Sequence, residues 1–285
     1  MNWVVFQNIL IEVTTLRINI FYFSGTGFTE RVGKGLTKEF KDLGQDAGLY
    51  YIPEFMGKES GSKLKKLDDN DMIGIMYPVH SFNAPEIVVK FARKLPEGHG
   101  RKAFIVKTAG DKSAINAGSS ILLMKTLTKR GYQVTYEELV QMPTNFIVRY
   151  DNQFIIELVK NADKLVKIIA EEIVKGRNKP VNSSLGKKAF TAATRIEWLG
   201  AHLLAKFHFK VDKSCDLCNL CVRDCPTHNV RMKKGRIKFG MACTFCMRCI
   251  YSCPQKAIHI KKPFAVIEVK NWFDLEELIK NKEEQ

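Results

Sequence analysis

The sequence predicts an α/β protein in which a doubly wound, five-stranded parallel sheet is followed by a small α+β domain. Two observations support this fold class. Between residues 16 and 175, apolar strands alternate with amphipathic helices in the order β-α-β-x-β-α-β-α-β-α, where x is a polar segment. This order is typical of a parallel sheet with helices on both faces. All eight cysteines of the 285-residue chain lie in its C-terminal third, which indicates a second domain organised around metal.

The elements of the first domain follow from its apolar pattern. Apolar runs that suit strands buried on both faces predict strands at residues 16–23, 47–52, 72–77, 102–108 and 133–140. Helical spacing predicts helices over residues 31–43, 86–95, 113–130 and 153–174, and a short helix over residues 62–67. The helix over residues 153–174 is expected to turn its apolar side, which carries Phe154, Leu158, Leu165, Ile168 and Ile169, toward the sheet.

The remaining segments are assigned from composition. Residues 1–15 are interpreted as an N-terminal extension, and residues 176–210 as a basic linker followed by an amphipathic helix over residues 189–209. This helix is expected to pack between domains, the alternative being a position on a membrane surface. The predicted apolar stripe of that helix comprises Ala192, Ile196, Leu199, Leu203 and Phe207, with Trp198 beside it. Residues 211–262 form the second domain, with a hairpin turn at Lys234–Gly235 and a strand at 257–260. Residues 263–285 are a tail with one strand-like and one amphipathic stretch, expected to brace one domain against the other.

The loop after the first strand has a composition that favours phosphate binding. The sequence SGTGFTE lies between a strand and a helix, an arrangement that presents backbone N–H groups and hydroxyls at a helix N-terminus. Neither a G-x-G-x-x-G motif nor a P-loop is present. An ordinary glycine-rich turn is the alternative interpretation. The candidate binding residues are Ser24, Gly25, Thr26, Gly27, Phe28 and Thr29.

This loop resembles the phosphate loop of flavodoxins, whose S/T-x-T-G-x-T pattern is matched from Ser24 to Thr29. Phe28 departs from the family, which often has asparagine there. The resemblance implies a bound FMN and two further loops that line its ring. Their candidate residues are Pro78, Val79, His80, Phe82 and Asn83 after the third strand, and Ala109 and Gly110 after the fourth. The alternatives are a core position for Phe82, an exposed turn for His80 and, for Lys112, a solvated cation instead of one near the flavin.

The cysteines form two C-x2-C-x2-C-x3-C-P runs, offset by 28 residues. This spacing is typical of a chain that holds two 4Fe–4S clusters, the fourth cysteine of each run binding the cluster of the other run. Structural zinc is the alternative, but zinc sites separate two C-x2-C knuckles by a longer spacer. Residues 211–262 therefore resemble a bacterial-type two-cluster ferredoxin. The pattern assigns one cluster to Cys215, Cys218, Cys221 and Cys253, and the other to Cys243, Cys246, Cys249 and Cys225.

The charge of the chain bears on its partners. The formal net charge is +15; two oxidised clusters with their thiolates and a flavin phosphate would reduce it to roughly +9. Such a charge favours an acidic protein partner, the alternative being a lysine-rich solvated surface. No nucleic-acid recognition motif, signal peptide or membrane span is predicted. Clustered cysteines without a disulfide framework indicate a reducing, cytoplasmic compartment.

Taken together, residues 16–262 resemble the family in which a flavodoxin-like domain is fused to a two-cluster ferredoxin. The resemblance implies an electron-transfer protein that passes electrons between two 4Fe–4S clusters and FMN, and on to a protein redox partner. Two alternatives stay open. One is a flavin-dependent reductase of a small substrate, with His80 as the candidate proton donor. The other is a ferredoxin whose first domain docks a partner without binding FMN.

Overall fold

The computed structural model describes residues 3–6, 9–12, 15–57, 64, 67, 71–144, 150–181, 184–203, 205–261 and 275–283. Strands β1 (Trp3–Phe6) and β2 (Ile9–Glu12) form an antiparallel hairpin. They pair with each other and add no strand to the main sheet. Most of the predicted helix over residues 62–67 and the strand-like stretch of the tail lie outside the described residues.

The main sheet has five parallel strands in the spatial order β4-β3-β5-β6-β7. Counted within the sheet, this is the order 2-1-3-4-5 of the flavodoxin-like doubly wound fold. The predicted fold class is therefore confirmed for the first domain. The strands are β3 (Arg17–Tyr22), β4 (Asp46–Tyr51), β5 (Met72–Pro78), β6 (Lys102–Ala109) and β7 (Gln133–Gln141).

Helices cover both faces of this sheet. The side chains of β5 are apolar on both faces of the sheet: Ile73 and Ile75 belong to one apolar core, and Met72 and Met76 belong to the other. Both faces must therefore be covered. Helices α2 (Glu86–Lys94) and α3 (Ile121–Lys129) contribute to the first core. Helices α1 (Phe28–Asp42) and α4 (Asn152–Val174) contribute to the second, onto which α9 (Leu275–Glu283) also packs.

The helix predicted over residues 113–130 is interrupted. A 3-10 turn spans Ala114–Gly118, and α3 begins only at Ile121. The cause is the buried Lys107 of β6, whose ammonium group donates to the carbonyl oxygens of Asn116 (3.0 Å) and Ala117 (3.3 Å). These two carbonyl oxygens are directed at the Lys107 ammonium, and the regular helix α3 begins only after this turn.

The apolar face of α4 was also predicted in part wrongly. Leu158 and Ile169 are buried as expected, but Phe154 and Ile168 are 38% and 52% exposed. The face against the sheet is rotated and is built from residues at intervals of three and four positions. These residues are Ile155, Val159, Ala162, Val166, Ile169, Ala170 and Ile173.

The segment between the domains is partly tied to the first domain. The backbone of Lys179 bonds to that of Thr135 and Glu137 at 2.8 Å, extending the sheet beside β7. Helix α5 (Leu185–Leu203) then begins four residues earlier than predicted, and α6 (Ala205–His208) follows. Ala192 and Phe207 of the predicted stripe are exposed. The side chains of Ile196, Trp198, Leu199 and Leu203 lie outside the described part of the structure.

The second domain consists of short elements around the cysteine runs. The predicted hairpin is confirmed, because Lys234 (φ 50°) and Gly235 (φ 67°) form its left-handed turn. The strand predicted at 257–260 is present as Ile258–Ile260 and pairs antiparallel with the strand Phe209–Val211. No helix among the described residues is long and apolar enough to cross a membrane. The elements are β8 (Phe209–Val211), α7 (Leu220–Arg223), β9 (Val230–Lys233), β10 (Arg236–Phe239), α8 (Arg248–Tyr251) and β11 (Ile258–Ile260).

Candidate functional site

The two cysteine runs have the same backbone conformation. Helix α8 repeats α7 at the 28-residue offset of the sequence motif. Left-handed residues repeat at the same offset, with φ between 49° and 63°. They are the pairs Leu217 and Phe245, Asn219 and Met247, and His228 and Lys256. A left-handed conformation at a non-glycine residue costs of order 1–3 kcal/mol, so six of them in one small domain indicate a functional constraint.

That constraint is the orientation of backbone N–H groups toward the cysteines. The N–H of Asn229 donates to Cys225 Sγ at 3.2 Å, and the N–H of Ala257 donates to Cys253 Sγ at 3.4 Å, again at the 28-residue offset. Alternating left- and right-handed residues turn successive N–H groups into a concave anion-binding surface. Both loops therefore have the shape needed to hold an anionic iron–sulfur cluster.

The thiols of the first run lie beside the last cysteine of the second run. Cys215, Cys218, Cys221 and Cys253 line one small cavity, closed on one side by Ile237 and Ile258. Burial, followed by the charges of Cys253, Cys215 and Cys218, raises the pKa of the Cys221 thiol to about 11. The structure thus brings together the four residues that the sequence pattern groups.

The second group is more deeply buried. Burial raises the pKa of Cys243 to about 12, with further contributions from the nearby thiols of Cys246 and Cys225. Burial also raises the pKa of Cys246 and of Cys249. Four neighbouring thiolates, each at least partly buried, would repel one another strongly, so this donor set requires compensating cationic charge such as that of iron.

A buried hydroxyl supports the same conclusion. Thr244 is 5% exposed, and its Oγ1 makes no hydrogen bond to a nitrogen or oxygen atom of the described residues. It lies next to Cys246 and lowers the pKa of that thiol. A hydroxyl beside a cysteine is suited to donate a hydrogen bond to a sulfur atom.

Among the described residues, no group of three or more Cys, His, Asp or Glu side chains surrounds the position of a single metal ion.

The candidate phosphate loop lies between β3 and α1. Gly27 (φ 95°) is the N-cap residue of α1 and, as a glycine, has no side chain with which to cap the helix. The Ser24 hydroxyl accepts a hydrogen bond from the Gly27 N–H at 3.1 Å, and the Thr29 hydroxyl bonds to that of Thr108 at 2.8 Å. Two of the three hydroxyls predicted to bind phosphate therefore also hold the loop in shape. The N-terminus of α1 retains the backbone geometry of an anion site.

The second candidate loop is a tight turn fixed by α5. His80 and Asn83 exchange two backbone hydrogen bonds around Ser81 (φ 45°) and Phe82 (φ 58°). The Phe82 ring packs against Phe190 of α5, with a centroid distance of 5.3 Å. The Asn83 side-chain amide donates to Thr194 Oγ1 at 2.9 Å. The loop is therefore not open to solvent on its α5 side.

The other residues of the strand-end loops have defined contacts. The His80 ring stands edge-on to Phe23 at 6.2 Å, and the Val79 N–H donates to the Thr108 carbonyl at 2.8 Å. Pro78, at the end of β5, pairs with Thr108 of β6. These contacts place the loop beyond the carboxyl end of the sheet, where ligands of open α/β folds bind.

The third candidate loop begins at Ala109 and Gly110. The Gly110 carbonyl oxygen accepts hydrogen bonds from Gln141 Nε2 (3.0 Å) and from the Tyr150 hydroxyl (3.1 Å). A side chain at Gly110 would collide with Thr144, because its Cβ would lie 2.1 Å from Thr144 Cγ2. Lys112 is exposed, in agreement with a solvated side chain.

The second cysteine run contacts the phosphate loop directly. A Cβ at Gly25 would lie 2.0 Å from the carbonyl oxygen of Cys246, so only glycine permits this approach of the two backbones. Close by, the Arg248 guanidinium donates to the Tyr51 hydroxyl and lies over the Tyr51 ring, 5.0 Å from its centroid. Neither Tyr51 nor Arg248 was predicted from the sequence as a functional residue. The only local signal is the position of Tyr51 at the end of β4.

Comparison with known proteins gives one family match, to the model of a 4Fe–4S dicluster domain over residues 214–258. No curated protein shows significant sequence similarity to the chain. Three solved structures similar to the first domain are a flavodoxin from the domain Archaea, a flavodoxin from Streptococcus pneumonia TIGR4 and an azoreductase from Bacillus anthracis str. Sterne.

The similarity to these structures is low. The archaeal flavodoxin is 16% identical with a TM-score of 0.39, over 56% of this chain and 99% of its own. The streptococcal flavodoxin is 12% identical with a TM-score of 0.38, over 56% and 98%. The azoreductase is 9% identical with a TM-score of 0.39, over 55% and 100%. The fold assignment therefore rests on the strand order itself. The chain combines an N-terminal flavodoxin-like domain with a C-terminal 4Fe–4S dicluster domain.

Proposed function

We propose that this protein transfers electrons between two 4Fe–4S clusters and an FMN, and exchanges them with a protein redox partner. One observation carries the proposal: the backbone of Cys246 touches the phosphate loop at Gly25. A contact between a cysteine loop and the candidate phosphate loop supports a relay, because the two candidate redox sites would then be neighbours. Such proximity is what an electron relay within one chain requires.

The clusters are assigned by the sequence pattern and supported by the grouping of the thiols. Cys215, Cys218, Cys221 and Cys253 hold the first cluster, and Cys243, Cys246, Cys249 and Cys225 hold the second. Backbone N–H groups directed at Cys225 and Cys253 support this assignment, since hydrogen bonds to sulfur tune cluster potential.

FMN binding is supported by the loops at the carboxyl end of the sheet. The N-terminus of α1, where a Cβ at the N-cap Gly27 would meet no atom of the described residues within 4 Å, suits the flavin phosphate. The loops at Pro78–Asn83 and Ala109–Gly110 lie beyond the neighbouring strands, where the ring would bind. The Phe82 side chain is engaged by Phe190, so its contribution is to anchor α5 over this edge. When bound, FMN would supply conversion between one-electron and two-electron transfer.

The two clusters differ in their surroundings. Cys246 of the second cluster lies at the domain contact, whereas Cys218 of the first cluster is exposed, as is the neighbouring Leu217 (39%). This difference supports an order in which the partner exchanges electrons with the first cluster, and the second cluster exchanges them with FMN.

The test is anaerobic purification of the full chain followed by iron, sulfide and flavin analysis. We expect about eight iron atoms, about eight sulfides and one FMN per chain. Zinc in place of iron would refute the cluster assignment. Iron without flavin, even after incubation with FMN, would favour the ferredoxin with an FMN-free docking domain. Rapid steady-state turnover of quinones would favour the reductase, whereas only slow diaphorase activity is expected of a carrier.

A further inference from the structure

The β9–β10 hairpin has one entirely cationic face. In its antiparallel register, Arg236 lies opposite Lys233 and Lys238 lies opposite Arg231. Directly opposed residues point to the same side, so these four side chains share one face and Val230, Met232, Ile237 and Phe239 share the other. All four cations are exposed, and Lys234 adds a fifth at the turn.

This arrangement is unfavourable in the isolated protein. Opposed residues of an antiparallel pair have Cβ atoms roughly 4.5–5.5 Å apart, and like charges at that separation are destabilising. The structure does not relieve the repulsion: within the described ranges, no carboxylate lies within salt-bridge distance of the four cations. Residues 205–261 contain three acidic residues, Asp212, Asp216 and Asp224. Two of them pair elsewhere, Asp212 with His259 and Asp224 with Arg223.

The hairpin also covers the first cluster site. Ile237, on its apolar face, lines the cavity formed by Cys215, Cys218, Cys221 and Cys253. The cationic face is therefore the outer surface of the strands that cover these cysteines. A molecule bound to that face would lie one β-layer away from the cavity that these cysteines line.

We propose that the cationic face of the β9–β10 hairpin, made by Arg231, Lys233, Arg236 and Lys238, is the docking surface for an acidic electron-carrier protein. Charge complementarity identifies the partner as acidic, because carboxylates would neutralise the opposed cations. Position identifies it as a redox protein, because the surface adjoins the candidate cluster site. The inference rests on the proposed function and adds the place and the chemistry of the partner contact.

A charge-alternating variant tests the surface without weakening the fold. In Lys233→Glu/Lys238→Glu, each new carboxylate faces an arginine, Arg236 or Arg231, so both like-charge pairs become ion pairs. We expect the thermal midpoint to be equal to or above that of the wild type. The matched control is Lys125→Glu/Lys129→Glu on α3, where two exposed lysines undergo the same change in net charge.

The probe is a small acidic two-cluster ferredoxin, reduced with dithionite and mixed with the full chain in a stopped-flow instrument. At low ionic strength, we expect the hairpin variant to lower the second-order rate constant about tenfold or more and to flatten its salt dependence. The α3 variant should react at nearly the wild-type rate. Equal loss in both variants, or loss in neither, would overturn the proposal.

Two further measurements distinguish docking of an electron carrier from binding of other anionic ligands, and distinguish failure of the docking surface from failure of the proposed function. If the hairpin variant loses binding to oligothymidylate or phosphatidylglycerol vesicles while its rate with the ferredoxin is unchanged, the surface serves another ligand and the proposal fails. Binding of labelled, oxidised ferredoxin is measured independently by fluorescence anisotropy. Hairpin-dependent binding without electron transfer would support the surface and refute the proposed function. Electron uptake that is independent of the hairpin would support the function and refute the surface.

Discussion

The contact between Gly25 and Cys246 predicts a specific response to a single methyl group. In Gly25→Ala the new Cβ would lie 2.0 Å from the Cys246 carbonyl oxygen and 3.0 Å from the Cys246 Cβ. The first distance falls short of a normal contact by about 1.5 Å. Gly25 is buried, and Cys246 is held between two left-handed residues, Phe245 and Met247. Because both backbones are constrained, we expect the strain to be relieved by a shift of the two domains apart.

The expected cost is that of overpacking, about 1–3 kcal/mol. If this free-energy cost falls on the contact between the two domains, the ratio of docked to undocked molecules decreases about 5- to 150-fold. Hydrogen exchange should then increase in residues 243–249 and at the carboxyl end of β4. Urea unfolding, followed by the visible absorption of the clusters and by far-ultraviolet circular dichroism, should show the second domain unfolding more independently of the first.

Two further variants make this test specific. Gly186→Ala introduces the same methyl group in α5, where no atom of the described residues would lie within 4 Å of it, and should be neutral or stabilising by up to about 1 kcal/mol. Tyr51→Phe weakens the same interface without touching the loop, because it removes the hydrogen bond to Arg248, worth about 1.5–3 kcal/mol. If Gly25→Ala matched Gly186→Ala in stability and in exchange, the two loops would not be in contact.

Three further predictions concern the core, the tyrosines and the cysteines. Lys107→Met should lower the free energy of unfolding in urea by about 3–5 kcal/mol. The reason is that Glu137, which lies 2.6 Å from the Lys107 ammonium, is left buried without its cation. Adding Glu137→Leu to this variant should recover part of the lost stability. Burial raises the pKa of Tyr22 to about 12 and raises those of Tyr77 and Tyr136 as well, while an unfolded tyrosine titrates near about 10. The unfolded chain therefore binds fewer protons above about pH 10, so the urea midpoint should fall as the pH rises beyond that value; a flat profile would contradict the burial of these side chains. Cys253→Ala should lower the iron content from about eight to about four atoms per chain and leave the same residual cluster spectrum as Cys215→Ala. Cys225→Ala should likewise leave the same spectrum as Cys243→Ala. If the spectrum of Cys253→Ala matched that of Cys243→Ala instead, the crossed assignment would be refuted.

The parts predicted from the sequence are those encoded by local pattern. Runs such as residues 72–77 are apolar on both faces, and only a strand inside a covered parallel sheet buries both. The grouping of Cys253 with Cys215 likewise follows from the two-cluster motif, in which the fourth cysteine of each run belongs with the first three of the other run. Strand positions and the grouping of thiols could therefore be obtained before any coordinates.

The parts that were missed depend on contacts between distant residues. Tyr51 and Arg248 are 197 residues apart, and neither side chain has a neighbour in sequence that indicates the other. The break before α3 arises because Lys107, on a strand, draws in the carbonyls of a loop nine and ten residues later. The apolar face of α4 was misassigned because Phe154 and Ile168 match its composition but not the side that meets the sheet.

The proposed relay of two clusters and a flavin is tested most directly by counting the electrons that the full chain accepts. Anaerobic titration with reduced methyl viologen, followed by visible absorption, should consume about four electron equivalents per chain, one for each cluster and two for FMN. Flavin bleaching should accompany cluster reduction without any added mediator beyond the titrant. An uptake of about two equivalents, with no flavin component, would contradict the claim that the clusters and a flavin form one relay.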